Sequence, residues 1–165
     1  TDVVVVGGGD SALQEAAVLV HHARIVHLVH RGRDWRARAA LREAFARALD
    51  ACPGRCVMHL EHAVLAVEGD EAIAAVVLQG PDGSRRTLQA GALFPCIGLE
   101  PRVAWTGLAT DASGALACDA GGSTTAPGVF AAGAVRAGFG GRLRDALVEA
   151  SALSAAIARR CRPHG

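Results

Sequence analysis

The chain opens with an uninterrupted apolar run, Val3 to Val6, closed by Gly7, Gly8 and Gly9. A branched run without polar alternation predicts a strand over Asp2 to Val6, buried on both faces. The period then lengthens: Leu13, Ala16, Ala17 and Val20 recur at helical spacing, and Asp10 or Ser11 stands where it could cap that helix. A second strand is expected over Arg24 to Val29, ending at His30 and Arg31, which completes a βαβ unit with a right-handed crossover. From Trp35 to Asp50, Ala37, Leu41, Phe45 and Leu49 return at every fourth position, predicting an amphipathic helix. Pro53-Gly54 ends it before a third strand near Val57 to Leu60.

Beyond that point the period shortens to two. Ala63 to Glu68, Ile73 to Leu78 and Arg86 to Gln89 read as short strands parted by Gly69-Asp70 and Pro81-Asp82-Gly83, an antiparallel meander. Ala92 to Ile97 returns as a buried strand ending at Gly98. After Pro101 the pattern loosens into Gly, Ser, Thr and Asp, then tightens into a compact strand, "VFAAGAV", and a closing helix from about Leu143 to Arg160. One strand and one helix bury each other's apolar faces poorly, so this tail expects a partner surface.

Composition narrows the function classes. The 165 residues are 51% hydrophobic with a net charge of +1, so no global field recruits nucleic acid or an anionic membrane. No apolar run approaches the roughly 20 residues of a membrane span, and no leader pattern opens the chain. The expectation is a cytoplasmic protein without nucleic-acid or membrane partners. Five cysteines without disulfide-scaffold density fit a reducing compartment. The absence of an initial Met suggests a piece of a longer polypeptide, and the all-arginine basic set suggests a GC-rich bacterial genome.

Gly7, Gly9 and Ala12 form G-x-G-x-x-A between a strand and a helix, the context in which a dinucleotide fingerprint has a physical meaning. The first glycine permits the tight turn, the second lets a pyrophosphate approach the backbone, and the small third residue lets the helix lie on the sheet. The helix N-terminus then attracts the anion. At the end of the second strand an NAD site usually carries Asp or Glu. Here the chain reads "HRGRDWRAR": Arg31 and Arg36, with His30 and Arg33 as further candidates, suit the extra phosphate of NADP.

These motifs resemble the thioredoxin reductase group of pyridine nucleotide-disulfide oxidoreductases. Gly7, Gly8, Gly9, Asp10, Ser11 and Ala12 match its G-G-G-[DN]-[ST]-A, and His30, Arg31 and Arg36 match its H-R-R-x-x-x-R, from which Gly32 departs. "GALFPCIGLEP", Gly91 to Pro101, and the stretch from Thr124 to Gly133 also follow the family's order. The resemblance implies a Rossmann-like three-layer α/β domain with a β-meander over residues 1–98, binding NADPH or NADH, followed over 99–165 by the returning part of an FAD-binding domain. The first half of that domain, and any C-x-x-C dithiol, would precede Thr1. Ile97 and Gly98 would border the nicotinamide, and Gly133, Ala134, Val135 and Arg142 would border FAD. Ala134 replaces the Asp that normally holds a flavin hydroxyl.

The implied activity passes hydride from NAD(P)H to flavin and electrons onward to a disulfide, in a small redox protein or another disulfide substrate, by a homodimeric enzyme. A ferredoxin-NADP reductase of the same fold and a non-catalytic nucleotide-binding redox sensor are the alternatives. No residue of this chain is expected to act as acid, base or nucleophile. Cys52 and Cys56 read as structural, Cys96 as core, and His21 and His22 as helix-end residues. His59 and His62, placed on opposite faces of one strand, are not expected to share a metal.

Overall fold

The computed structural model describes residues 1–161. The chain divides into two compact units, Thr1–Gly98 and Leu99–Gly165.

In the first unit, strand β1 (Val3–Val6), helix α1 (Asp10–Leu19), strand β2 (Val26–His30), helix α2 (Ala39–Ala51) and strand β3 (Cys56–Leu60) follow in order. Strands β4 (Ala63–Gly69), β5 (Ile73–Gln79) and β6 (Arg85–Gln89) form an antiparallel sheet, and β7 (Ala92–Pro95) returns to the first one. That sheet is parallel throughout, in the order β3-β2-β1-β7, with Val3 opposite both Val26 and Ala92. Alternation along β1 and β2 splits the core. Val3, Val5, Val26 and Leu28 pack with Leu13, Ala16 and Phe45 of the two helices. Val4 and Val29 pack on the other face with Val76, Leu78 and Leu88 of the meander. Both faces of the central strands are therefore dry, as their unbroken apolar run requires. Each fully buried leucine, such as Leu13 or Leu28, contributes about 1.5–3 kcal/mol.

Helix α2 starts later than its periodicity suggests. The N–H groups of Arg36 and Ala37 donate to the Gly8 carbonyl at 2.7 and 3.2 Å, which holds Trp35 to Arg38 as a loop against the glycine turn. Nor do Asp10 and Ser11 cap α1: its N-cap is Gly9, with no side-chain bond. Asp10 reaches instead to Arg38, the N-cap of α2, accepting from its backbone N–H at 2.9 Å and its Nε at 2.5 Å.

In the second unit, helix α3 (Leu143–Arg160) forms over the expected span. The "VFAAGAV" segment is not a strand. Phe130 makes one bridge to Ser123, Arg136 one to Leu116, and Gly133–Val135 is a 3-10 turn with Gly133 at φ +70. A strand needs a continuous ladder, and the described residues of this unit offer only single bridges. Polar turns hold the rest: Asp111 Oδ1 accepts from the N–H groups of Ser113 and Ala115, and Asp119 Oδ1 from those of Gly121 and Ser123. Each is an Asx-type closure.

Candidate nucleotide-binding site

The three glycines of the turn have different jobs. Gly7, at φ +146, lies so close to the Cys96 carbonyl that a Cβ there would meet its oxygen at 2.3 Å, and Ala12 Cβ at 3.1 Å. Gly8 faces the His30 ring, which a Cβ would strike at 2.3–2.5 Å. Gly9 has nothing within 4 Å of the same position. The first two are demanded by the fold. The third opens onto space at the first turn of α1, where uncapped N–H groups attract an anion.

His30 is buried, stacks on Trp35 with ring centroids 5.4 Å apart, and places Nε2 3.1 Å from the Asp34 carbonyl, to which it donates. It therefore props the glycine turn from beneath, and its donor is committed. Arg33 is committed too, donating through Nε to Glu61 at 2.7 Å. Arg31 and Arg36 are exposed. With Gly7, His30, His62 and Ile97 they line a cleft of about 340 Å³ at the carboxyl ends of β1 and β2. This is the end of an open parallel sheet where ligands bind, beside the central strand at which the order reverses.

Gly8, Gly9, Asp10, Ser11, Ala12 and Gly98 are not in the cleft wall. Ala12 is fully buried against the sheet, Ser11 is exposed, and Asp10 ties α1 to α2. Gly98 and Ile97 are both exposed just beyond β7. The donor set fits a phosphorylated dinucleotide, with an open glycine at a helix N-terminus and two exposed guanidiniums across the strand ends.

His62 was missed by strand alternation. Strand β3 stops at Leu60, and Glu61 turns the chain at φ 57, which brings the His59 and His62 rings to 5.8 Å, edge to face. No group of three or more potential metal ligands forms among the described residues. A non-glycine residue in the left-handed region leaves no signal that the expected pattern could have caught. His59 is buried, 3.1 Å from His27 Nδ1, and burial, then the neighbouring His27, Arg86 and His62, holds its pKa at about 4.

Among the cysteines, burial pushes Cys56 up to about 11 and Cys96 upward as well, with Glu15 adding to the second. Cys52 lies 3.2 Å from His21 Nδ1, and all five thiols are free. None lies in the cleft wall.

In the second unit, Gly133 N–H donates to Glu149 Oε2 at 2.9 Å, so it is not available to a ligand. Arg136 holds the same carboxylate through Nη2 at 2.5 Å. The Arg136 hydrogen bond first, and then the Gly133 N–H, pull the Glu149 pKa down to about 2. Ala134 and Val135 are exposed beside it, and Arg142 is the exposed N-cap of α3, which has no side-chain cap. Ala134 supplies no polar side chain here, and the Val135 carbonyl accepts from the Leu116 N–H at 2.8 Å.

Residues 1–155 match the family model of the pyridine nucleotide-disulphide oxidoreductases. The chain belongs to this family. Thioredoxin reductase of Chlamydia trachomatis is 34% identical over 140 residues, covering 82% of this chain and 43% of that protein. Ferredoxin–NADP reductase of Rhodospirillum rubrum is 34% identical over 171 residues, covering 98% of this chain and 48% of that one. Among solved structures, Lactococcus lactis thioredoxin reductase aligns at a TM-score of 0.80 with 28% identity, over 96% of this chain and 52% of that chain. The chain thus spans about half the length of these family members. No helix of the described residues is long and apolar enough to cross a membrane.

Proposed function

We propose that this chain is the nucleotide-handling part of a thioredoxin reductase-like flavoenzyme, residues 1–98 binding NADPH and residues 99–165 contributing part of an FAD site. The observation that carries the proposal is the cleft at the strand ends, lined by Gly7, Arg31 and Arg36, two residues along the same turn from the open Gly9 at the head of α1. The α1 N-terminus and the Gly9 backbone hold the pyrophosphate. Arg31 and Arg36 hold the extra phosphate through charge-assisted hydrogen bonds. Ile97 and Gly98 border the nicotinamide. The backbone of Ala134 and Val135 and the Arg142 end of α3 border the flavin, while Glu149 and Arg136 brace that loop. Bound FAD would supply two-electron chemistry that no side chain here can perform, accepting hydride from NADPH and passing electrons to a disulfide. The partner is a small disulfide-bearing redox protein, the setting cytoplasmic and the assembly a homodimer.

A second reading, in which the electrons go to an iron–sulfur protein, is favoured by the ferredoxin–NADP reductase relative, which matches nearly the whole chain at the same identity. One experiment separates them. NADPH is added without oxygen to the whole FAD-loaded flavoenzyme of which this chain is proposed to be a part, and the flavin absorbance is followed. Bleaching reversed by oxidised thioredoxin supports the first reading, and bleaching reversed only by oxidised ferredoxin the second. A protein that retains flavin and is not bleached by NADPH contradicts both.

A further inference from the structure

Gly32, between the cleft-lining Arg31 and Arg36, brings no side chain to the cleft. A Cβ added at Gly32 would meet His30 Nε2 at 3.0 Å, so an arginine there would press on the residue that props the glycine turn. The neighbouring turn fills the gap. Glu61 holds its left-handed conformation at φ 57, uncommon outside glycine and kept only where the surroundings enforce it. Three links enforce it here. Glu61 N–H donates to the Gly32 carbonyl at 3.2 Å, His62 N–H to the His30 carbonyl at 3.1 Å, and Arg33 Nε to the Glu61 carboxylate at 2.7 Å. The loop that carries Arg31 and Arg36 is thereby stitched to the β3–β4 turn, and His62 stands half-buried in the same cleft wall as both arginines.

The ring is oriented rather than loose. Its Nδ1 donates to the Leu60 carbonyl at 2.6 Å, which leaves Nε2 as the group offered to a ligand. The His59 ring lies edge-on to it, the two arginines line the same cleft, and Asp82 stands across Gly80: Nε2 is 3.4 Å and Asp82 Oδ1 3.0 Å from the position of a Gly80 Cβ. The imidazole and the two guanidiniums are the nitrogen-bearing side chains that this wall offers to a phosphate ester.

We propose that His62 completes the phosphate-selective wall, acting with Arg31 and Arg36 to recognise the extra phosphate ester of NADPH where Gly32 brings no side chain of its own. The inference rests on reading the cleft as the nucleotide site. Because NADH lacks that phosphate, His62 contributes to one nucleotide and not the other.

The test is a titration of the full chain with NADPH and with NADH, in the unmodified protein and in H62A, H62R, R31A and R36A, reading the ratio of the two dissociation constants. H62A is expected to weaken NADPH by roughly three- to tenfold while leaving NADH within about twofold, and H62R to restore the preference. Equal losses for both nucleotides in H62A would mean that the residue only shapes the turn, which overturns the proposal. An unchanged NADPH affinity overturns it as well. If R31A and R36A lower the ratio and H62A does not, the cleft reading stands and the role of His62 alone falls. If the unmodified protein binds neither nucleotide, both fall together.

Discussion

The two units of this chain are ordered by different physics. In residues 1–98 the order comes from burial: Val4, Val5, Leu13, Val26, Leu28 and Leu78 are completely excluded from solvent, on two faces of one sheet. In the second unit the core cluster is small, Val103, Leu116 and Ala131, and no residue of α3 is fully buried, with Leu143 at 78% and Leu147 at 62% exposure. What stands in for burial there is a set of carboxylates gripped by N–H groups and by Arg136. Burial is insensitive to acid until a buried base must ionise, whereas gripped carboxylates fail when they take up protons. Each unit also carries one tryptophan, Trp35 in the first and Trp105 in the second, so the two can be followed separately.

The largest contrast is expected on truncating apolar side chains. Leu28→Ala should cost the first unit about 2–5 kcal/mol in denaturant unfolding followed at Trp35. Leu147→Ala should change the second unit by no more than about 0.5 kcal/mol at Trp105. Comparable losses would abolish the distinction.

Next in size is a contrast inside the glycine turn. Gly8→Ala drives a methyl into the His30 ring and should destabilise the first unit by about 1–3 kcal/mol. Gly9→Ala meets open space at an ordinary φ of −98. It should leave the unfolding curve in place and weaken NADPH binding, because the added methyl occupies the approach to the backbone. A Gly9→Ala protein that unfolds early would show that the open space serves the fold.

Acid should separate the units by pH window. His59 is held at about 4 against an ordinary 6.5, so its neutral form favours the folded first unit, and that contribution is lost as the pH falls from 6.5 towards 4. Glu149 is held at about 2 against 4.5, so its contribution to the second unit persists to lower pH and is lost between 4.5 and 2. Thermal unfolding read at Trp35 should fall first on acidification, and His59→Gln should flatten that fall. Glu149→Gln should flatten the later fall at Trp105, the smallest of these effects. The comparison breaks if both probes move together through the upper window.

Much of this arrangement could be read from residue order. The unbroken run Val3–Val6 and the glycines after it announced a buried strand and a phosphate turn, and the change of period after Leu60 announced the meander. What escaped were features in which one segment acts on another. Asp10 stands in the sequence where it would cap its own helix, yet its carboxylate serves Arg38, a neighbour in space that residue order does not reveal. Strand alternation set His59 and His62 apart until the left-handed Glu61 turned the chain between them. Trp35 to Arg38 had helical spacing, yet their backbone is spent on Gly8. The "VFAAGAV" run had strand composition and no ladder to join.

The cleft between Arg31, Arg36 and the glycine turn is proposed as a pyridine-nucleotide site, and one titration decides it. The most direct measurement follows Trp35 fluorescence in a Trp105→Phe variant of the full chain while NADPH or NADH is added. The predicted result is a saturable response, tighter for NADPH, whose preference collapses when Arg31 or Arg36 becomes Ala. A folded protein that shows no saturable response to either nucleotide would mean that the cleft is not a nucleotide site.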